Sequence, residues 1–205
     1  MIDVYENSVQ VAVLLGCLAF ALPKALRTRE RVWTLLVLAY GSWAMGNFFW
    51  LACHVFYGAM PQITLVSDLS WYTFYIFLYM LLREVTPPEK AGERRVLPWL
   101  GVVFAVGMAV YYIQWGNVVS NLICALLMSL LLFSVIRRLL DIRMYAKQRF
   151  LFILILAFCL TEYLMWTSSC IWESNSLLAP YYWFDILLTI SFPLFIPATK
   201  RAVAP

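Results

Sequence analysis

The chain has 205 residues, of which 64% are hydrophobic and 13% are charged, and its formal net charge is +4. This composition excludes an ordinary soluble domain, because a chain of this size cannot bury so much apolar surface in its own core. The positive charge does not indicate nucleic-acid binding either, since every cation lies beside an apolar segment, where the partner is membrane phospholipid.

Seven apolar segments predict seven transmembrane helices, because about 20 apolar residues in a helix cross the hydrocarbon core of a bilayer. Their predicted bounds, in chain order, are 7–24, 32–57, 66–83, 97–115, 118–138, 150–171 and 181–199. The predicted fold is therefore all-α, a polytopic helix bundle that forms one domain over residues 1–205. Tryptophans near the ends of several segments are typical of the aromatic belt at a membrane interface.

The distribution of Lys and Arg predicts how these helices are oriented. All 15 basic residues fall in four clusters, which lie at alternate ends of the apolar segments. The clusters are Lys24, Arg27, Arg29 and Arg31; Arg83, Lys90, Arg94 and Arg95; Arg137, Arg138, Arg143, Lys147 and Arg149; and Lys200 with Arg201. The positive-inside rule then predicts an outside N-terminus and a cytoplasmic C-terminus.

A weak internal repeat divides the seven segments into two parallel groups of three, joined by the fourth. Cys53 and Asp68 are 15 residues apart, and so are Cys170 and Asp185. An offset of 117 residues superimposes the two pairs. Parallel duplicated halves of this kind occur among small membrane transporters.

Ionisable and polar side chains in the outer half of the predicted bundle indicate a ligand pocket, because such groups are costly in a membrane. Glu162 lies deepest, about 18 Å from the inner surface at 1.5 Å per residue. The candidate ligand-binding residues are Glu162, Asp68, Asp185, Asn47, His54, Asn121, Trp43, Tyr72, Tyr75 and Tyr112. Three acids with no fixed base suit a cationic ligand, a proton relay or a neutral hydrogen-bonding ligand, and aromatic walls add cation–π attraction.

Six of these residues also have a structural interpretation. Asp68 and Asp185 lie near helix N-termini, where a negative charge is favourable in any case. Asn47 and Asn121 are of a type that joins helices by hydrogen bonds in membranes. Glu162 could likewise be a structural hydrogen-bonding residue and His54 an interfacial one.

The cysteines show no metal-ligand spacing, and no cofactor is predicted. Cys53 and Cys170 both lie towards the outer face, where an oxidising compartment permits a disulfide between them. Phosphate-binding glycine loops, HExxH and GxSxG are all lacking in the sequence. A binding protein is therefore favoured over an enzyme.

The stretch from Gly41 to Leu82 carries a resemblance to a known family. It contains Gly41-Ser-Trp43-Ala-Met-Gly46-Asn-Phe-Phe-Trp50, then Gly58 and Pro61, then Ser67-Asp68-Leu-Ser-Trp71-Tyr72 with Tyr75 and Tyr79. It resembles the multi-span membrane sensory regions at the N-termini of bacterial diguanylate cyclases and histidine kinases, and Trp183-Phe-Asp185 is similar to the start of their last span. No output domain follows span seven here, so a sensor of this kind would act through a separate partner, or the chain is part of a longer protein.

These observations favour a receptor-like or sensory module that binds a small ligand or lipid in an acidic, aromatic-lined pocket in the outer half of the bundle. Its basic loop would dock a cytoplasmic partner protein, through Arg137, Arg138, Arg143, Lys147 and Arg149. A small proton-coupled or cation transporter is the first alternative, with a broken helix near Pro193 as its expected mark. A structural subunit of a membrane complex and an intramembrane lipid-acting enzyme are further alternatives.

Overall fold

A computed structural model describes residues 2–58, 65–86, 96–140, 146–172 and 178–204 of the chain, and within these ranges all regular structure is helical. The helices are α1 (Ile2–Thr28), α2 (Arg31–Tyr57), α3 (Leu65–Glu84), α4 (Trp99–Tyr112), α5 (Val118–Leu139), α6 (Arg149–Ile171) and α7 (Pro180–Ala202). The all-α prediction is confirmed, and each predicted segment corresponds to one helix.

Five of these helices, namely α1, α2, α5, α6 and α7, are long and apolar enough to cross a membrane. This finding is consistent with a multi-pass membrane protein. Helix α4 has only 14 residues, or about 21 Å at 1.5 Å per residue, which is shorter than a bilayer core of about 30 Å. The sequence predicted a longer fourth segment.

Local sequence explains where several helices begin and end. The side chain of Asn117 caps α5 by accepting hydrogen bonds from the backbone N–H groups of Val119 and Ser120, at 2.9 and 3.2 Å. Gly58 ends α2 in the left-handed conformation, with φ of 64°, and its N–H donates to the carbonyl of His54. Only glycine adopts this backbone conformation without strain. Pro180 begins α7, where the N–H that it lacks would have no helical partner.

Six helices form a closed ring in the order α1, α2, α3, α5, α6, α7, with α7 packed against α1, while α4 packs mainly against α5. An aromatic cluster fills the centre of this ring. The Trp43 ring of α2 lies 4.8 Å from Phe74 of α3, 5.5 Å from Phe158 of α6 and 5.3 Å from Phe192 of α7, measured between centroids. Rings from four helices thus meet in one apolar core.

The described residues of the basic clusters lie at one end of the ring. Arg31, at the start of α2, makes an ion pair with Glu84 at the end of α3, with an N–O distance of 3.5 Å. Lys147 and Gln148, just before α6, donate to the carbonyls of Ala204 and Ala202 beyond and at the end of α7, both at 3.2 Å. This end of the bundle is called the basic end below.

The basic residues predicted to dock a partner differ in their exposure at the basic end. Lys147 and Arg149 are exposed, whereas Arg138 is only 5% exposed and donates to the carbonyl of Ser134 at 2.9 Å. Burial removes Arg138 from any docking surface, which corrects the prediction for that residue. Arg143 lies outside the described residues, as do Lys90, Arg94 and Arg95.

The close contact of α4 with α5 provides a test of this packing. A Cβ on Gly101 would lie 2.8 Å from Cβ of Leu132 and 3.2 Å from its backbone carbonyl carbon, whereas a Cβ on Gly107 meets nothing within 4 Å. Overpacking of this kind costs about 1–3 kcal/mol. We expect Gly101→Ala to lower the melting temperature of the purified protein by several degrees, and the matched control Gly107→Ala to leave it unchanged or higher. Equal melting temperatures for the two variants would contradict the α4–α5 packing.

Candidate functional site

Gln10 of α1 forms hydrogen bonds with four polar side chains, two from α2 and two from α7, at the end of the ring opposite the basic end. Its Oε1 accepts hydrogen bonds from the Trp43 indole, at 3.0 Å, and from the Asn47 side-chain amide. Its Nε2 donates to both carboxylate oxygens of Asp185, at 3.0 and 3.2 Å, and to Thr189 Oγ1 at 2.9 Å. Because every hydrogen-bonding atom of this buried amide is in use, Gln10 fixes α1 against α2 and α7.

The same network continues from α2 to α3. The Trp71 indole donates to Asn47 Oδ1 at 3.0 Å, so that Asn47 both donates to α1 and accepts from α3. The two helices approach closely here because residue 46 is glycine: a Cβ on Gly46 would lie 3.0 Å from the Trp71 indole nitrogen. Asn47 is 2% exposed, and its position is set by these contacts.

Glu162 of α6 is also 2% exposed, and its two carboxylate oxygens have different surroundings. Oε2 accepts hydrogen bonds from the Tyr75 hydroxyl of α3, at 3.0 Å, and from the Trp166 indole one turn further along α6, at 2.9 Å. Oε1 has no hydrogen-bond partner among the described residues. A buried carboxylate oxygen without a donor is costly, so this oxygen needs a further partner.

A cavity of about 590 Å³ lies beside these groups, between α1, α2, α3, α6 and α7. Its size is typical of a pocket for a small organic ligand. Its wall is formed by Asn7, Gln10, Trp43, Asn47, Trp50, Trp71, Tyr75, Glu162, Met165, Trp166, Ser169, Cys170, Ile171, Trp172, Tyr181 and Asp185. We call this space the main cavity. It extends from the helix ends opposite the basic end to Glu162.

A smaller cavity of about 40 Å³ lies on the other side of Glu162, between α3, α4, α5 and α6. Its polar residues include Asp68, which accepts a hydrogen bond from Ser120 Oγ at 3.0 Å. The Tyr72 hydroxyl also contacts Ser120, and Asn121 donates to the carbonyl of Tyr112 at 3.0 Å. Four side chains belong to the walls of both cavities, namely Trp71, Tyr75, Glu162 and Trp166.

The structure distributes the predicted ligand-binding residues over these two spaces. Glu162 and Tyr75 line both cavities, and Asp185, Asn47 and Trp43 line the main cavity only. The residues found in the smaller cavity alone are Asp68, Asn121, Tyr72 and Tyr112. The three predicted acids therefore line two cavities: Asp185 lines the main cavity, Asp68 lines the smaller one, and Glu162 lines both.

His54 lines neither cavity. It stacks on Trp50, one turn earlier in α2, with ring centroids 5.1 Å apart and an interplanar angle of 9°. Trp50 is the member of this pair that lies in the main cavity wall. The disulfide that the sequence permits is not formed, since Cys53 and Cys170 are free thiols. Cys170 lies in the main cavity wall and Cys53 does not, and their helices α2 and α6 are not neighbours in the ring.

Sequence reasoning missed Gln10 and Trp166. Gln10 is an uncharged polar residue near the start of the first segment, where an interfacial position would satisfy it equally well. A signal for Trp166 was present, because residues four apart in a helix lie on the same face and Trp166 follows Glu162 by four. An indole N–H at that spacing is a direct partner for a buried carboxylate.

The geometry of the main cavity limits what it can hold. Its wall contains two carboxyl side chains and five indoles, and none of its described residues is Lys, Arg or His.

Comparison of the chain with protein-family models, with curated proteins and with solved structures finds no match in any of the three. The function must therefore be argued from this wall.

The network around Gln10 predicts a large effect of a single substitution. Gln10→Leu removes the partners of Trp43, Asn47 and Asp185 together, and leaving buried polar groups unsatisfied costs about 1–3 kcal/mol each. We expect a drop of several degrees in melting temperature. Gln148→Leu serves as the control, because it removes one bond to a backbone carbonyl at the basic end. A Gln10→Leu protein as stable as this control would show that the network does not hold the helices together.

Proposed function

We propose that this protein is a receptor-like membrane module that binds a small ligand in the main cavity and signals to a cytoplasmic partner. In this proposal all seven helices cross the bacterial cytoplasmic membrane, with the N-terminus outside and the C-terminus inside. The observation that carries the proposal is the main cavity itself, which ends at the buried carboxyl of Glu162. A cavity of about 590 Å³ with an unpartnered carboxylate oxygen in its wall is suited to a ligand rather than to packing.

Charge supports the proposed orientation. The described cations of all four clusters lie near the helix ends that form the basic end, and the main cavity lies at the opposite end. The positive-inside rule assigns the basic end to the cytoplasm. The cavity would then face the outside, where a receptor meets its ligand.

The arrangement of neighbouring helices supports two parallel halves. Exchanging α1, α2 and α3 with α5, α6 and α7 leaves the order of the ring unchanged. In each half, the aspartate of the third helix faces the first helix of the other half. Asp68 of α3 bonds to Ser120 of α5, and Asp185 of α7 bonds to Gln10 of α1. We infer that the cavities occupy equivalent junctions.

Signalling would use the helices that reach both ends of the bundle. Helix α6 carries Glu162 in the cavity wall and Arg149 at its start. Helix α7 carries Asp185 in the cavity wall and Lys200 in its last turn. A ligand that changes the packing of either helix would move exposed cations at the basic end. The partner surface would be acidic, to complement Lys147 and Arg149. The resemblance of residues 41–82 to bacterial sensory regions supports this interpretation.

One observation favours a proton-coupled or cation transporter as the second candidate. Glu162 lies in the wall between the two cavities and could serve a polar path through the bundle. Against it, α7 is continuous from Pro180 to Ala202 and does not break at Pro193. The Tyr40 hydroxyl donates to the carbonyl of Phe192 at 2.6 Å, so that α2 is bonded to the backbone of α7 beside this proline. Accumulation of a bound compound inside sealed vesicles would establish transport instead of sensing.

Sided labelling of Cys170 tests the proposed cavity and its orientation. In a variant whose other cysteines are replaced by Ala, we expect a membrane-impermeant maleimide added outside intact cells to modify Cys170, because its side chain lines the main cavity. The matched control retains only Cys159, which lies on the same helix and is 0% exposed. We expect this control to react only after unfolding in detergent. Mass spectrometry of the purified protein measures both.

Two results would overturn the proposal. Modification of Cys170 only from the cytoplasmic side would reverse the orientation. A Cys170 that reacts no faster than Cys159 in the folded protein would mean that no open cavity exists there.

A further inference from the structure

The geometry points to a protonated organic amine, bearing at least one N–H, as the ligand of the main cavity. This inference rests on the proposed function, since it names the ligand class of the same site. It depends on three properties of the wall, which are its unused acceptors, its lack of cations and its indole rings.

The hydrogen-bond donors of the wall are largely occupied by acceptors of the same wall. The indoles of Trp43, Trp71 and Trp166 donate to Gln10, Asn47 and Glu162, at 3.0, 3.0 and 2.9 Å, respectively. The side-chain N–H₂ of Gln10 and the hydroxyl of Tyr75 donate to carboxylates in the same way. Beside these occupied donors, Glu162 Oε1 is a buried acceptor that has no donor among the described residues. A ligand that brings its own N–H donors fits this wall better than one that brings acceptors.

The charge of the wall selects the sign of the ligand. Glu162 and Asp185 lie in the main cavity wall, and Glu6 lies beside Asp185 as a third carboxyl. By sequence, none of the 15 Lys and Arg residues falls in the segments at this end of the helices. An anionic ligand would meet carboxyl groups and no Lys or Arg side chain there, whereas an ammonium group would be attracted to a carboxylate in surroundings where the attraction is strong.

The aromatic rings select an organic cation over a hydrated metal ion. The wall contains Trp43, Trp50, Trp71, Trp166 and Trp172. Ring faces attract an ammonium group by cation–π interaction and also cover an apolar ligand body. A hydrated inorganic ion would leave most of a 590 Å³ cavity unused and would gain little from indoles. Because Glu162 Oε1 requires a hydrogen, an amine with an N–H is favoured over a quaternary ammonium.

A matched series of four compounds tests this inference on the native protein. The series is 2-phenylethylamine, its N-acetyl amide, its N,N,N-trimethylammonium derivative and 3-phenylpropionate, with sodium chloride as the inorganic cation. Affinity is measured by calorimetric titration of the purified protein in lipid nanodiscs. We expect the amine to bind at least about tenfold more tightly than the trimethylammonium derivative, because the latter cannot donate to a carboxylate. The amide and the carboxylate are expected to bind more weakly still.

Two variants assign the binding to the cavity. Glu162→Gln is expected to weaken amine binding by at least about tenfold through loss of the charged hydrogen bond. Glu30→Gln removes the same charge at the exposed basic end and is expected to leave the affinity unchanged. If Glu162→Gln does not fold, Trp166→Phe is used instead, since it removes one donor to Glu162 and part of the aromatic wall.

The following results would contradict the inference that the ligand is a protonated amine or the function on which it rests. Binding of the carboxylate or the amide as tightly as the amine would overturn the inference, and so would equal losses in Glu162→Gln and Glu30→Gln. If no compound binds while Cys170 reacts from outside, the ligand class is wrong and the proposed function stands. If Cys170 does not react from outside, the proposed function itself fails.

Discussion

Within the hydrocarbon region of a membrane, a polar side chain must find its partner inside the protein, because neither lipid nor bulk water supplies one. In this chain that constraint gathers the polar residues of α1, α2, α3 and α7 around the amide of Gln10. The hydrogen bonds that Gln10 accepts from Trp43 and Asn47 and donates to Asp185 do not merely satisfy these groups. They also fix α1 against α2 and α7 beside the main cavity.

The main cavity follows from this arrangement. Below it, the rings of Trp43, Phe74, Phe158 and Phe192 pack into an apolar floor, so the open space ends where the aromatic core begins. Glu162 lies at this boundary with one oxygen satisfied by Tyr75 and Trp166 and the other without a donor. The cations at the basic end leave the opposite end acidic. The distribution of Lys and Arg that predicts the orientation of the helices therefore also makes the site acidic.

The sequence was sufficient to predict the helices, because length and hydropathy determine which segments can cross a membrane. It also identified Glu162 and Asp185, since a carboxyl within an apolar segment requires an explanation. It could not show which helices are neighbours, and for this reason it left open whether Asp68 and Asp185 share one pocket. The structure places Asp185 in the wall of the main cavity and Asp68 in the wall of the smaller one. His54 was expected in the pocket because it lies on the same helix as Asn47. In the structure His54 stacks on Trp50, and of these two side chains only that of Trp50 lines the main cavity.

The most direct test of an acidic cavity open to the outside is sided quenching of tryptophan fluorescence in sealed right-side-out vesicles. The signal of the Trp166 indole, which contacts Glu162, is obtained as the difference between the native protein and a Trp166→Phe variant. Caesium and iodide quench indoles, carry opposite charges and do not cross the membrane readily. Relative to their effect on free tryptophan amide, this account predicts that external caesium quenches the difference signal more than external iodide. Equal or stronger quenching by iodide, or no quenching by either ion from outside, would contradict it.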